Sequence, residues 1–190
     1  LNMIYEKNFM APLKLIDNSK PLSLANIKGD LKDIPESSWL DNYKISIIIP
    51  AYNAEELIHI PLNSLLDQTI NNLEIIVVDD CSTDNTVEVV EKFTQKDKRI
   101  KLIRKEKNEG AYGARNTGLK YVTGDFVTIH DSDDWSHPQK LEIQLKHTLI
   151  NKESVGSISY LIRNDMGVTP INRGSMLSDQ YIMLNTSSLL

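Results

Sequence analysis

The sequence predicts an α/β protein built on an open, mostly parallel sheet with helices on both faces, preceded by an N-terminal arm. Three observations predict it. Short apolar runs rich in β-branched residues recur at 45–49, 73–78, 99–104 and 126–129, as strands buried on both faces require. Longer stretches between them repeat their apolar residues at helical spacing. Three of the runs give way abruptly to polar groups, at Pro50-Ala51-Tyr52-Asn53, Asp79-Asp80 and Asp131-Ser132-Asp133-Asp134. In a doubly wound sheet such loops share the carboxyl edge, where ligands bind.

Residues 1–43 lack sustained periodicity and carry Pro12, Pro21 and Pro35, which suits an arm or a broken helix-and-loop leader. Leu13, Leu15, Ile16, Leu22, Leu24 and Ile27 are too many apolar groups for a free tail, so part of the arm is expected to pack on the body or a partner. The domain proper is read as 44–190. Its first strand, Ile45 to Ile49, is expected to stop at Pro50, which cannot donate to a ladder. A helix follows from Ala54 to about Thr69, with Pro61 either kinking it or marking its first turn.

Leu73 to Val78 forms the second strand, and Ser82 or Thr83 is expected to cap the next helix, with Asp84 in its first turn. A third strand spans Arg99 to Arg104. The glycine- and alanine-rich stretch 110–118 would make a poor exposed helix, but small side chains let a helix lie close on a sheet or let backbone approach a ligand. Arg115 projects from it, as a structural ion-pair partner or as a forked donor to a diphosphate or to the strand-end carboxylates. After the 126–129 strand, Pro138 opens a helix carrying Leu141, Leu145 and Leu149. A strand at 155–162, a turn at Asn164-Asp165-Met166-Gly167 and a short final strand close the chain, which looks truncated at its C-terminus.

The chain has 190 residues and a formal net charge of −5, which suits one domain with an appendage and argues against a general nucleic-acid binder. Cys81 stands alone and forms no internal disulfide, which fits a reducing cytoplasm. No membrane span or signal peptide is seen, while peripheral membrane association stays open. No glycine fingerprint follows the first strand and no P-loop occurs, so dinucleotide and P-loop readings are weak.

Asp131 and Asp133, two residues apart at a strand end, can share one divalent ion, and oxygen ligands of this kind suit Mg²⁺ or Mn²⁺. The bland alternative is a solvated acidic turn that caps the following helix. A receiver domain also pairs acids at strand ends, but it needs a later strand-end lysine, and none is found on the 155–162 run. Tyr112 and His130 lie close to the proposed site as pocket or packing residues, and His137 is expected on the surface.

In order and spacing, Ile47-Ile48-Ile49-Pro50-Ala51-Tyr52-Asn53, Val77-Val78-Asp79-Asp80-Cys81-Ser82-Thr83-Asp84, Ala114-Arg115-Asn116 within Gly110 to Gly118, and Asp131-Ser132-Asp133-Asp134 resemble a family 2 glycosyltransferase of the GT-A fold. The resemblance covers roughly residues 44–162. It implies an inverting, metal-assisted transfer of a sugar from a nucleotide-sugar donor, most often a UDP-sugar, to a glycan or lipid-linked acceptor, at the cytoplasmic face of the membrane in cell-surface polysaccharide synthesis. By the same resemblance Pro50, Ala51, Tyr52 and Asn53 line the nucleoside pocket with Tyr52 on the base. Asp79 or Asp80 bonds the base, Arg115 holds the nucleotide, Asp131 and Ser132 sit near the ribose, and Asp133 with Asp131 takes Mn²⁺ or Mg²⁺. Ser132 stands where the family often has alanine. An inverting transfer also needs a general base. No matching acidic motif occurs in the 56 residues after Asp134, where Asp165 and Asp179 read equally well as turn residues. The chain is therefore read as the donor-binding part of a longer enzyme, or as a non-catalytic nucleotide-sugar-binding fragment.

Overall fold

A computed structural model of the chain describes residues 2–7, 9–32, 34, 37–151, 153–159 and 181–185. In chain order the elements are α1 (Asn2–Lys7), β1 (Leu13–Leu15), β2 (Ile27–Gly29), β3 (Ile45–Ala51), α2 (His59–Leu66), β4 (Leu73–Asp79), α3 (Thr86–Lys96), β5 (Ile100–Arg104), α4 (Gly110–Leu119), β6 (Phe126–Ile129), α5 (Lys140–Ile150), β7 (Gly156–Ser159) and β8 (Tyr181–Asn185). The main sheet runs β5-β4-β3-β6-β8-β7. Its first four strands are mutually parallel and β8 runs antiparallel to both neighbours. The expected sheet is thus found, and the chain switches direction across it between β3 and β6.

The alternation of strand side chains assigns the two faces. Ile45, Ile47, Ile49, Ile75 and Val77 point to the side covered by α2, α3 and α5, where Leu62, Leu65, Val90, Leu141 and Leu145 complete the larger core. Ile48, Ile76, Val78 and Val127 point to the other side, against Ala114 of α4. Gly118 lets α4 lie that close, because a Cβ there would stand 2.5 Å from Ile48 Cγ2.

Several local expectations are corrected. β3 continues through Pro50, which pairs with Val78. Ile48 O accepts from His130 N–H on the β6 side, so alternation points the missing Pro50 donor to that same side, beyond the last β3–β6 pair at Ile48 and Ile129. No ladder bond is lost, and the gap between the two strands opens there. α2 is shorter than expected, with Pro61 in its first turn. α3 begins at Thr86, and neither Ser82 nor Thr83 caps it. The N-cap is Asn85, without a side-chain bond, and Asp84 precedes the helix rather than lying in its first turn, accepting from Thr86 N–H at 3.0 Å and Thr86 Oγ1 at 2.5 Å. α5 starts after Pro138 rather than at it, and the strand expected at 155–162 is seen at Gly156–Ser159, its last residues and the expected turn at 164–167 lying outside the described residues.

At the edge opposite the strand-end loops, Glu74 is buried in β4 and its carboxylate is saturated. It accepts from Ser46 Oγ at 2.5 Å, Thr123 N–H at 2.7 Å, Lys101 Nζ at 2.9 Å and Lys44 Nζ at 3.0 Å. Burial alone would raise its pKa, but these hydrogen bonds more than offset that and bring it to about 2.

The arm docks on the body. β1 and β2 form an antiparallel ribbon, and Gly29 lies against Pro138 so closely that a Cβ would fall 2.3 Å from its Cγ. Ala11 donates its N–H to Gln139 Oε1 at 2.7 Å and accepts from His137 Nε2 at 2.9 Å, while Tyr5 stacks on the His137 ring with centroids 4.7 Å apart. His137, expected on the surface, is 9% exposed because the arm covers it.

Candidate functional site

The site is built where β3, β4 and β6 end. Two residues in the left-handed region turn the chain out of the sheet, Asn53 (φ 49°) after β3 and Cys81 (φ 65°) after β4. Asparagine tolerates this conformation, whereas cysteine bears strain of about 1 kcal/mol there. The two loops are laced together. Asn53 N–H donates to Ser82 Oγ at 2.9 Å, its Oδ1 accepts from Thr83 N–H at 2.8 Å, and Glu55 N–H donates to Asp84 Oδ2 at 3.1 Å. Asn53 therefore braces the loops through its side chain. Its neighbour Tyr52 is half exposed and presents its ring to solvent at the crevice rim, with Pro50 and Ala51 forming the buried floor behind it.

The adjacent acids Asp79 and Asp80 are both buried, yet they do different work. Asp80 accepts from Lys105 Nζ at 2.6 Å and from Glu109 N–H at 3.1 Å, tying the end of β5 and the entrance of α4 to β4. Lys105 also pairs with Glu109 at 2.9 Å, and although burial opposes it these acids raise the Lys105 pKa. Asp79 accepts from Ser82 N–H at 3.3 Å through Oδ2, but its buried Oδ1 has no hydrogen-bond partner among the described residues. A carboxylate oxygen left without a donor is costly in a folded protein, and at a ligand crevice it is a group suited to a donor brought by the ligand.

On the far side of the gap, Arg115 Nη2 donates to Asp131 Oδ1 at 2.9 Å and the guanidinium lies 5.3 Å from the centre of the Tyr112 ring. Arg115 Nε is buried and unpartnered among the described residues. Tyr112 is otherwise exposed, so it supports Arg115 rather than filling the core. The 131–134 turn leaves Asp133 exposed, with Ser132 partly covered beside it.

Behind this turn lies a polar chain that the sequence did not reveal. His130 is fully buried, with Nδ1 donating to Asp131 O at 2.9 Å and Nε2 accepting from Ser136 Oγ at 2.8 Å. Lys140 Nζ donates to the same Ser136 Oγ at 3.1 Å. Burial, reinforced by Lys140, drives His130 down to about 3, so it stays neutral and fixes the turn. Burial also brings Lys140 down to about 7, against the opposing pull of Asp134 and Asp131. Lys140 therefore stands behind the acidic turn as an amine poised between its charged and neutral forms.

Asp131 and Asp133 offer two carboxylates at the end of β6. Among the described residues no cluster of three or more His, Cys, Asp or Glu could hold an ion by itself. Two carboxylates suit Mg²⁺ or Mn²⁺, which are commonly bound through one or two carboxylates together with substrate phosphates and water. The residues fit an ion that arrives with a diphosphate, rather than one caged by protein alone.

Lys105 could have been found by taking the residue at the end of every parallel strand, since it follows β5 as Asp80 follows β4. His130 follows β6 in the same way, whereas Ser136 carried no such signal. Asp165 and Asp179, the available acids for a general base, lie outside the described residues.

The family described as "Glycosyl transferase family 2" matches residues 46–184. The chain is 42% identical over 146 residues to the UDP-Glc:alpha-D-GlcNAc-diphosphoundecaprenol beta-1,3-glucosyltransferase WfgD of Escherichia coli, covering 77% of this chain and 55% of that one. Its structure resembles S. aureus TarS 1–349, with a TM-score of 0.61 and 30% identity over 77% of this chain and 48% of that one. The TarS 1–349 complex with UDP-GlcNAc aligns with a TM-score of 0.56 and 36% identity, over 66% of this chain and 37% of the other. The mannosyltransferase PcManGT from Pyrobaculum calidifontis, in complex with GDP-Man and Mn²⁺, aligns with a TM-score of 0.56 and 28% identity, over 65% of this chain and 37% of that one. The chain spans about half the length of WfgD and of TarS 1–349, and less of the other two structures.

Proposed function

Because the chain belongs to glycosyl transferase family 2, we propose that it forms the donor-binding part of an enzyme that transfers a sugar from a UDP-sugar to an acceptor hydroxyl with inversion. The observation that carries this reading is that the carboxyl ends of β3, β4 and β6 present the exposed Tyr52 ring, an unsatisfied Asp79 oxygen and the Arg115–Asp131 pair. Tyr52 stacks on the uracil, and Asp79 Oδ1 accepts its ring N–H. We assign this role to Asp79 rather than Asp80 because Asp80 already accepts from Lys105 Nζ and Glu109 N–H. Pro50 and Ala51 floor the nucleoside pocket, Asn53 holds its wall, and Asp131 with Ser132 meets the ribose.

Asp133 and Asp131 hold Mn²⁺ or Mg²⁺ together with the donor. When bound, the ion offsets the negative charge that develops on the departing diphosphate. Arg115 lies between Asp131 and the gap, so it orients that carboxylate and offers its remaining N–H groups to phosphate oxygen.

WfgD is named for a UDP-Glc donor and a diphosphoundecaprenol-linked acceptor, and TarS 1–349 forms a complex with UDP-GlcNAc. By likeness we assign this protein to cell-surface polysaccharide synthesis on a lipid-linked acceptor, at the inner face of the membrane. Among the described residues no helix is long and apolar enough to cross a membrane. The test is calorimetric titration of UDP with and without Mn²⁺ on the wild type and on Asp133→Ala. Metal-dependent binding that the variant loses supports the reading, and a folded wild type that binds no UDP under either condition overturns it.

A further inference from the structure

We infer that the N-terminal arm is a positioning element for the Asp131–Asp133 turn, acting through His137, Pro138 and Gln139. The inference rests on the donor-site reading above and goes beyond it, since the family match begins only at residue 46. The turn hangs between two fixed points. One is His130 at the end of β6, and the other is the segment 136–139 that enters α5.

Body and arm hold that second point together. From the body, Ser64 Oγ accepts from Ser136 N–H at 3.2 Å, Gln68 Nε2 donates to His137 O at 2.9 Å, and Pro138 O accepts from Thr69 N–H at 2.9 Å and Thr69 Oγ1 at 3.3 Å. From the arm come the paired Ala11 hydrogen bonds to His137 and Gln139, the Tyr5 stack on His137, and Gly29 against Pro138. Ala11, His137 and Gln139 are all buried. The arm thus grips three consecutive residues that begin four positions after Asp133. His137 also holds Trp135 edge-on with ring centroids 6.3 Å apart, which extends the grip to within two residues of Asp133. Undocking the arm removes about half of these restraints and leaves the carboxylates less well placed for a shared ion, while the base-binding end of the crevice, on β3 and β4, is untouched.

The expected signature is a metal-selective loss. In the full chain, Tyr5→Ala and Gly29→Val loosen the arm from its own side, and neither residue belongs to the binding site. Arm release is read by hydrogen exchange at the Ala11 amide, and affinity by titration of UDP with and without Mn²⁺. Both variants should exchange Ala11 faster and bind UDP with Mn²⁺ about three- to tenfold more weakly, with metal-free UDP binding unchanged. Tyr5→Phe, which keeps the stacking ring, should restore wild-type values. Faster Ala11 exchange with unaltered Mn²⁺-dependent affinity overturns the inference, as does an equal loss with and without the metal. If Gly29→Val does not fold, Tyr5→Ala decides alone, because it removes side-chain atoms and introduces no clash. A wild type that binds no UDP would instead refute the donor-site reading, and this inference with it.

Discussion

Two adjacent carboxylates, Asp79 and Asp80, should respond oppositely to the same substitution. Asp80→Asn removes the negative partner of a buried ion pair whose lysine side chain is 8% exposed and turns one of the two oxygens that share Glu109 N–H into a donor. Stranding a buried partner costs about 3–5 kcal/mol, and the lower end applies because Glu109 stays beside Lys105. For a chain of this length, about 3 kcal/mol corresponds to a Tm lower by roughly 6–12 °C. Asp79→Asn removes an oxygen that has no donor in the described structure and keeps an acceptor for Ser82 N–H, so its effect on stability should stay within about 1 kcal/mol. If Asp79 receives the uracil N–H, losing that charge-assisted bond costs about 1.5–3 kcal/mol, or roughly ten- to a hundredfold in UDP affinity. Thermal melts and calorimetric titration of both variants decide the matter. A Tm loss in Asp79→Asn as large as in Asp80→Asn, or wild-type UDP affinity in Asp79→Asn, would refute the division of labour.

Glu74→Gln should lower stability by about 2 kcal/mol at pH 7, less than the pKa shift alone implies because Lys44 and Lys101 are partly exposed. The folded value of about 2 lies below the ordinary 4.5, so the stabilisation is complete above pH 4.5 and disappears as pH falls toward 2. Urea titrations at pH 7 and pH 3 should therefore show the gap between wild type and variant narrowing in acid, and a gap independent of pH would contradict the assignment. Tyr52→Ala should weaken UDP binding by about 1–3 kcal/mol, as loss of a stacked aromatic does elsewhere. Its melting temperature should hold, because half of the residue already faces solvent; a large Tm loss would mark Tyr52 as core.

The parallel core was legible because β-branched runs such as Ile45 to Ile49 and Leu73 to Val78 have few other uses, and the closeness of α4 to the sheet could be anticipated from its small residues. Less legible were features set by partners far away in sequence. Asp79 and Asp80 are chemically identical neighbours, and only Lys105, 25 residues on, separates them. His137 looked like a surface residue because its cover comes from Ala11 and Tyr5, more than 120 residues earlier. Pro50 was misread as a strand terminator, since which side its missing donor faces depends on a ladder that a single strand does not display. Capping was misplaced by a short-range rule, the N-cap being Asn85, with Asp84 reaching Thr86 from before the helix, where Ser82 or Thr83 had been expected.

The position of β8 between β6 and β7 bears on biosynthesis. A ribosome delivers β7 before β8, yet the sheet order leaves β7 without a neighbour until residues 181–185 emerge. During that interval the nascent chain presents the bare flank of β6, next to the acidic turn, as an open template for another strand. Substitutions that slow the closing of this flank should reduce the yield of folded protein in cells more than they alter the stability of molecules that have finished folding.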